Sequence, residues 1–126
     1  MSQTLSTPDF PVTIYHNSRC SNSRGALALI RERGIAPQIV DYIAEPLDAA
    51  ALTALIAQLG VPVRDLLRSK EAVYAELQLD GPAIGDAELI AAVAAHPVLL
   101  NRPIVVTPRG AALCRPPEKV LALLPG

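Results

Sequence analysis

One cysteine of this chain lies in a polar segment between two apolar ones. Cys20 belongs to the polar run 16–23, which follows the apolar stretch 12–15 and precedes a helix-like pattern over 24–33. A loop that leads from a strand into a helix places its residues near the free N–H groups of the first helical turn, where negative charge is favoured. A thiol at such a place loses its proton more readily. The spacing therefore predicts a reactive thiolate at Cys20.

Several neighbours of this cysteine are cations or hydrogen-bond donors: His16, Arg19, Ser21, Asn22, Ser23 and Arg24. Three further arginines stand at the edges of apolar segments, where a charge needs a partner: Arg68, Arg102 and Arg115. A guanidinium is suited to two parallel hydrogen bonds with a tetrahedral oxyanion, although any one of the three could instead pair with a carboxylate. Together with an activated thiol, the set predicts an oxyanion substrate that sulfur attacks.

The elements that must position these groups follow from the hydrophobic pattern. Strands are expected over 12–15, 38–43, 104–107 and 111–114, and helices over 24–33, 48–60, 71–77, 87–95 and from Pro116 onward. Gly34 is expected just after the first helix, and Asp48 and Asp86 are expected to cap two others. The order is β-α-β, a helical middle, and β-β-α. It predicts an α/β protein with a mixed four-stranded sheet, in the thioredoxin-like arrangement with a helical insertion.

Composition restricts the class of function. The 126 residues, 51% hydrophobic and 18% charged, predict a single domain over 12–126 after a flexible extension over 1–11. A net charge of -1 with three Tyr, one Phe and no Trp argues against a nucleic-acid partner. The longest uncharged apolar stretch, 90–100, is interrupted by His96 and Pro97, so no membrane span is expected. Two Cys and two His match no metal-ligand spacing, and so few cysteines favour reduced thiols and the cytoplasm.

Four motifs carry a resemblance to a known family. They are His16-Asn17-Ser18-Arg19-Cys20-Ser21-Asn22-Ser23-Arg24, Arg64-Asp65-Leu66-Leu67-Arg68, Asn101-Arg102-Pro103-Ile104-Val105-Val106-Thr107-Pro108, and Cys114-Arg115-Pro116-Pro117. In order and spacing the chain resembles the ArsC family, the glutaredoxin-linked arsenate reductases, from about Val12 to Leu124. Ser18, Ser21 and Asn22 depart from the plasmid-type members, and the chain looks more like the shorter chromosomal subgroup.

The resemblance implies a role for each matching residue. Cys20 is the nucleophile toward arsenate or a similar oxyanion, His16 assists the thiolate, and Ser23 hydrogen-bonds to it. Arg68, Arg102 and Arg115 bind the oxyanion, and Pro103 matches the cis-proline that thioredoxin-like proteins place beside the active cysteine. Glutathione acts as a co-substrate and glutaredoxin then removes it, with no bound cofactor. Cys114 is expected to be structural.

Other functions share parts of this pattern. A low-molecular-weight tyrosine phosphatase needs Cys-x5-Arg, but Arg24 follows Cys20 by only four residues. Dithiol exchange of the thioredoxin type needs Cys-x2-Cys, and Ser23 holds the second position. A glutathione-linked monothiol oxidoreductase with another substrate stays open. So does a regulator resembling the Spx proteins, which share this fold and bind RNA polymerase; the missing second cysteine and the three arginines argue against it.

Overall fold

The computed structural model describes residues 10–125 of the chain, and these divide into two units. The sheet unit comprises the described residues up to Tyr42 and those from Arg102 onward, and the helical unit comprises Ile43–Asn101. The helical unit is thus an insertion in the sequence of the sheet unit. Most of the extension expected over 1–11 lies outside the described residues, but Phe10 packs against the core of the sheet unit.

The sheet unit is built on four strands. They are β1 (Thr13–His16), β2 (Gln38–Asp41), β3 (Ile104–Thr107) and β4 (Gly110–Leu113), in the spatial order β2-β1-β3-β4. β1 pairs with β2 in parallel, whereas the β1–β3 and β3–β4 pairs are antiparallel. The prediction of a mixed four-stranded sheet in an α/β protein is confirmed. The second strand ends at Asp41, two residues earlier than expected.

Helix α1 (Ser21–Glu32) packs its apolar face on this sheet. Ala26, Leu27 and Ile30 recur at helical spacing and join a core with Ile14 and Val105, because residues three and four apart share one face of a helix. The chain then turns at Gly34, whose φ of 76° confirms the expected glycine after the helix.

The C-terminal segment closes this core in a form that the pattern did not predict. Residues Pro117–Leu123 form 3-10 turns rather than an α-helix. Gly25 of α1 allows their close approach, since a Cβ atom there would lie 3.0 Å from the Pro117 ring. Val120, Leu123 and Leu124 complete the core of the sheet unit.

The helical unit contains α2 (Ala49–Leu59), α3 (Ala72–Glu76) and α4 (Asp86–Ala95), with 3-10 turns at Val63–Leu66 and Pro97–Leu99. Asp48 caps α2 as predicted, since its carboxylate accepts the Ala51 N–H at 2.8 Å. The cap predicted at Asp86 is wrong. Gly85 is the N-cap of α4, and its N–H donates to the Glu88 carboxylate at 3.3 Å. Asp86 is instead the first helical residue, where an acidic side chain favours the helix dipole.

Two paired isoleucines give a matched test of the sheet. Ile14 and Ile39 are register partners on β1 and β2, but Ile14 is 0% exposed and Ile39 is 41% exposed. We expect Ile14→Ala to lower the free energy of unfolding by about 3 kcal/mol, and Ile39→Ala by less than about 1 kcal/mol. Urea unfolding of the two variants measures both values. Equal losses would contradict the assignment of β2 as an exposed edge.

Candidate active site

Cys20 is the N-cap residue of α1. Its backbone is extended, with φ −95° and ψ 125°, and the helix begins at Ser21, three residues earlier than the apolar pattern predicted. The Cys20 N–H donates to the Asn17 carbonyl at 3.0 Å, and the Cys20 carbonyl accepts the Arg24 N–H at 3.0 Å. The Cys20 side chain makes no capping hydrogen bond of the usual kind. The thiol therefore stands at the positive end of the helix dipole with the first-turn N–H groups left for it.

The surroundings of this thiol favour its ionised form. Burial alone would raise the pKa of Cys20, because a charge is poorly solvated there. The backbone N–H of Ser23, the Arg102 guanidinium and the backbone N–H of Asn22 together outweigh burial, and the pKa of Cys20 lies below its usual range. Cys20 is 8% exposed, so most of its side chain is out of contact with solvent but part of it remains accessible.

Two of the three candidate arginines lie at the thiol. Arg115 places Nη1 3.7 Å from the Cys20 sulfur and donates with the same nitrogen to the Arg102 carbonyl at 2.9 Å. Arg102 acts on Cys20 both as a hydrogen-bond donor and as a positive charge. The Arg102–Pro103 peptide bond is cis, and Pro103 is buried. The thiol and two guanidinium groups thus share one place in the sheet unit.

His16 and Ser23 form a buried pair beside this place. The His16 Nδ1 and the Ser23 Oγ are 2.6 Å apart, and the Ser23 Oγ also accepts the Asn17 N–H at 3.0 Å. Ser23 thus turns its hydroxyl toward His16 and its backbone N–H toward Cys20, a division that sequence reasoning did not foresee. Burial lowers the pKa of His16 and outweighs the opposite effect of Asp41.

Arg68 lies in the helical unit. Its Nε donates to the Glu71 Oε2 at 3.1 Å, and both side chains are partly buried. Its backbone N–H donates to the Leu99 carbonyl at 2.8 Å. Cys20, His16, Ser23, Arg102 and Arg115 are grouped in the sheet unit, whereas the place of Arg68 beside an oxyanion stays a prediction.

Arg24 and Asn17 hold the loop that carries Cys20. The sequence predicted Arg24 as a source of positive charge and gave Asn17 no separate role. Arg24 donates from Nη1 to the Ser18 carbonyl at 2.9 Å. Asn17 accepts the Arg19 N–H on its side-chain oxygen at 2.9 Å, an arrangement typical of asparagine in turns. Asn17, three residues before Cys20, is thus a residue in the sequence from which this turn could have been predicted.

The second cysteine is of a different kind. Cys114 is 0% exposed, and burial raises its pKa to about 11. Its sulfur lies 3.6 Å from the Ala112 carbonyl oxygen, and neither cysteine is in a disulfide. Cys114 therefore stays a protonated thiol near neutral pH and is a poor nucleophile.

Two other kinds of site are absent from residues 10–125. No three side chains among His, Cys, Asp and Glu come together there as possible metal ligands. Within the same range, no helix has the length and apolar character that a bilayer crossing needs.

Comparison with known proteins decides the family. The sequence model of the ArsC family matches residues 15–123. The chain belongs to the ArsC family. All of the grouped site residues, from His16 to Arg115, fall inside the matched range.

Individual ArsC relatives are similar over most of the chain. An arsenate reductase of Rhizobium meliloti (strain 1021) is 50% identical over 114 residues, which are 90% of this chain and 81% of that protein. The protein YfgD of Escherichia coli (strain K12) is 45% identical over 114 residues, 90% of this chain and 96% of that one. The structure of an arsenate reductase from Vibrio cholerae superposes with a TM-score of 0.88 at 46% identity, covering 91% of this chain and 98% of that chain. The thioredoxin-like fold of this ArsC protein is thereby confirmed.

Loss of the Arg102 guanidinium removes a donor and a positive charge from the thiolate. We expect Arg102→Gln to raise the pKa of Cys20, because the thiolate then loses a hydrogen-bond donor and a nearby positive charge. The pH dependence of alkylation by iodoacetamide in a Cys114→Ser background measures this pKa.

A charge-matched control lies at the other end of α1. Arg33 is exposed and donates to the Pro125 carbonyl, so Arg33→Gln removes the same charge away from the thiol. An equal change in both variants would show that net charge, rather than contact with Arg102, favours the thiolate.

Proposed function

We propose that the protein is an arsenate reductase, which converts arsenate to arsenite at Cys20. The observation that carries this proposal is the thiol at a helix N-terminus with Arg115 Nη1 3.7 Å from its sulfur and Arg102 acting on it as well. Such a site unites a nucleophile with donors suited to a tetrahedral oxyanion. The arsenate reductases among its relatives support the choice of arsenic as the central atom.

The first step is a substitution at arsenic. The Cys20 thiolate attacks arsenate, a sulfur–arsenic bond forms, and one arsenic–oxygen bond breaks as that oxygen leaves as water after protonation. The guanidinium groups of Arg102 and Arg115 offset the charge of the remaining oxygens, and a positive group that is already in place costs no reorganisation. The family resemblance makes Arg68 a further candidate for binding the oxyanion. His16 and Ser23 keep the thiol loop in position through their buried hydrogen bond.

The reduction needs two electrons, and two thiols supply them by becoming a disulfide. One is Cys20. Cys114 is unsuited to be the other, since it is fully buried and its pKa is raised to about 11. The second thiol therefore comes from outside the chain, and glutathione, which reaches the adduct as a co-substrate, fits this need. Arsenate and two thiols give arsenite, one disulfide and water, and glutaredoxin reduces the mixed disulfide of Cys20 and glutathione. Such chemistry belongs to a reducing compartment, here the cytoplasm.

The coupled assay tests the activity directly. Purified protein receives arsenate, glutathione, glutaredoxin and a glutathione-reducing system, and NADPH consumption is followed. We expect turnover that Cys20→Ser abolishes, because no other described thiol is ionised, whereas Cys114→Ser keeps most of it. Loss of turnover in Cys114→Ser, in a variant that still folds, would contradict the one-thiol scheme.

Absence of turnover in the unsubstituted protein would overturn the proposal itself. If sulfate and arsenate binding were then also unchanged in Arg102→Ala, the oxyanion site would fall with it. Capture of RNA polymerase by the immobilised protein would in that case favour the regulator, and turnover with a different glutathione-linked substrate would favour the other oxidoreductase.

Arg68 has a separate test. We expect Arg68→Ala to lower kcat/KM for arsenate by about tenfold to a hundredfold, the loss of one charged hydrogen bond to the oxyanion. Lys70→Ala, an exposed cation two residues away, serves as the control and should change kcat/KM by less than about threefold. Equal effects of the two substitutions would show a general attraction by positive charge rather than contact with Arg68.

A further inference from the structure

A carboxylate stands next to His16 in the sheet. His16 ends β1, Asp41 ends β2, and the two residues are register partners in a parallel pair. Neighbouring strands lie about 4.8 Å apart, and paired positions send their side chains to the same face. Asp41 is therefore the neighbour of His16 on the same face of the sheet, at the edge where the Cys20 loop begins, and its charge acts on the imidazole.

The hydrogen bonds of Ser23 favour one of the two neutral forms of the His16 ring. A hydroxyl has one proton to donate and two lone pairs to accept. The Ser23 Oγ already accepts the Asn17 N–H, and Nδ1 of His16 lies 2.6 Å away. Burial favours the neutral imidazole. A proton on Nε2 leaves Nδ1 free to accept the Ser23 hydroxyl proton, so this tautomer gives both groups a partner.

The charges around His16 act in opposite directions. Burial lowers the pKa of His16, Asp41 raises it, and Arg31 and Arg24 of α1 lower it. Asp41 is thus the acidic group that counters the cations of α1 at this imidazole. A neighbouring carboxylate also favours the ring orientation that turns an N–H toward it, as carboxylates do for catalytic and metal-binding histidines.

We propose that Asp41 is a positioning residue for His16, whose carboxylate holds the ring with its proton on Nε2 so that Nδ1 accepts the Ser23 hydroxyl. Through this chain Asp41 acts on Ser23, and the backbone N–H of Ser23 favours the Cys20 thiolate. This proposal rests on the proposed function only in so far as His16 serves the reactive thiolate of Cys20. Its tests need no arsenate.

Nuclear magnetic resonance of the two histidines gives the first test. The chain has only two, and the exposed His96 is an internal control. We expect Asp41→Asn to lower the titration midpoint of His16 by about half a pH unit and Arg31→Gln to raise it by about as much, with His96 unmoved. The nitrogen-15 shifts should show Nε2 protonated in the unsubstituted protein and a mixture of tautomers in Asp41→Asn.

Alkylation of Cys20 by iodoacetamide in a Cys114→Ser background gives the second test. We expect Asp41→Asn to slow it about threefold near neutral pH, and Asp41→Glu, which keeps the carboxylate, to restore most of the rate. Direct removal of a negative charge near the thiolate would instead speed alkylation, so the direction separates the two effects.

An unmoved His16 midpoint, a proton on Nδ1, or faster alkylation in Asp41→Asn would overturn the inference. None of these results bears on arsenate turnover. Conversely, a protein without arsenate turnover whose His16 and Cys20 respond as expected would lose the proposed function and keep this inference.

Discussion

The interaction on which the site depends is the attraction between the N-terminus of α1 and the sulfur of Cys20. Cys20 occupies the N-cap position of α1, and the N–H groups of Asn22 and Ser23 in the first helical turn favour its thiolate. Burial of Cys20 works against ionisation, and only these donors with Arg102 reverse the balance. The turn through Asn17 and the packing of α1 on the sheet serve to keep the donors aimed.

Charge is distributed unequally between the two units, although the chain as a whole is nearly neutral. Eight of the eleven basic residues belong to the sheet unit, and eight of the twelve acidic residues belong to the helical unit. The thiol is therefore surrounded, within its own unit, by an excess of positive charge that attracts anions over distances beyond a single contact. A net charge of -1 says nothing about this local field.

Local sequence patterns predicted most helices and strands, but they could not predict which residues of distant strands become neighbours. Gly34 and Asp48 were found because turn and cap residues act on their immediate neighbours. The start of α1 was placed too late because Ser21 to Ser23 carry no apolar signal, and Asp86 was taken for a cap that Gly85 provides. Asp41 had no signal at all, since its position beside His16 depends on the register between two strands.

The two arginines at the thiol flank one hairpin and lie at its open end. Arg102 precedes β3 and Arg115 follows β4, and the pairing of Ile104 with Leu113 brings the two ends together. Their separation is thus set by strand register and not by the length of the hairpin. Residues could be added in equal number to both strands at the turn near Pro108 without moving the guanidinium groups of Arg102 and Arg115. One unmatched residue in either strand would instead shift the register and move a guanidinium away from the sulfur. The open end of the hairpin fixes the distance between the two arginines, whereas the length of its turn end is free to vary.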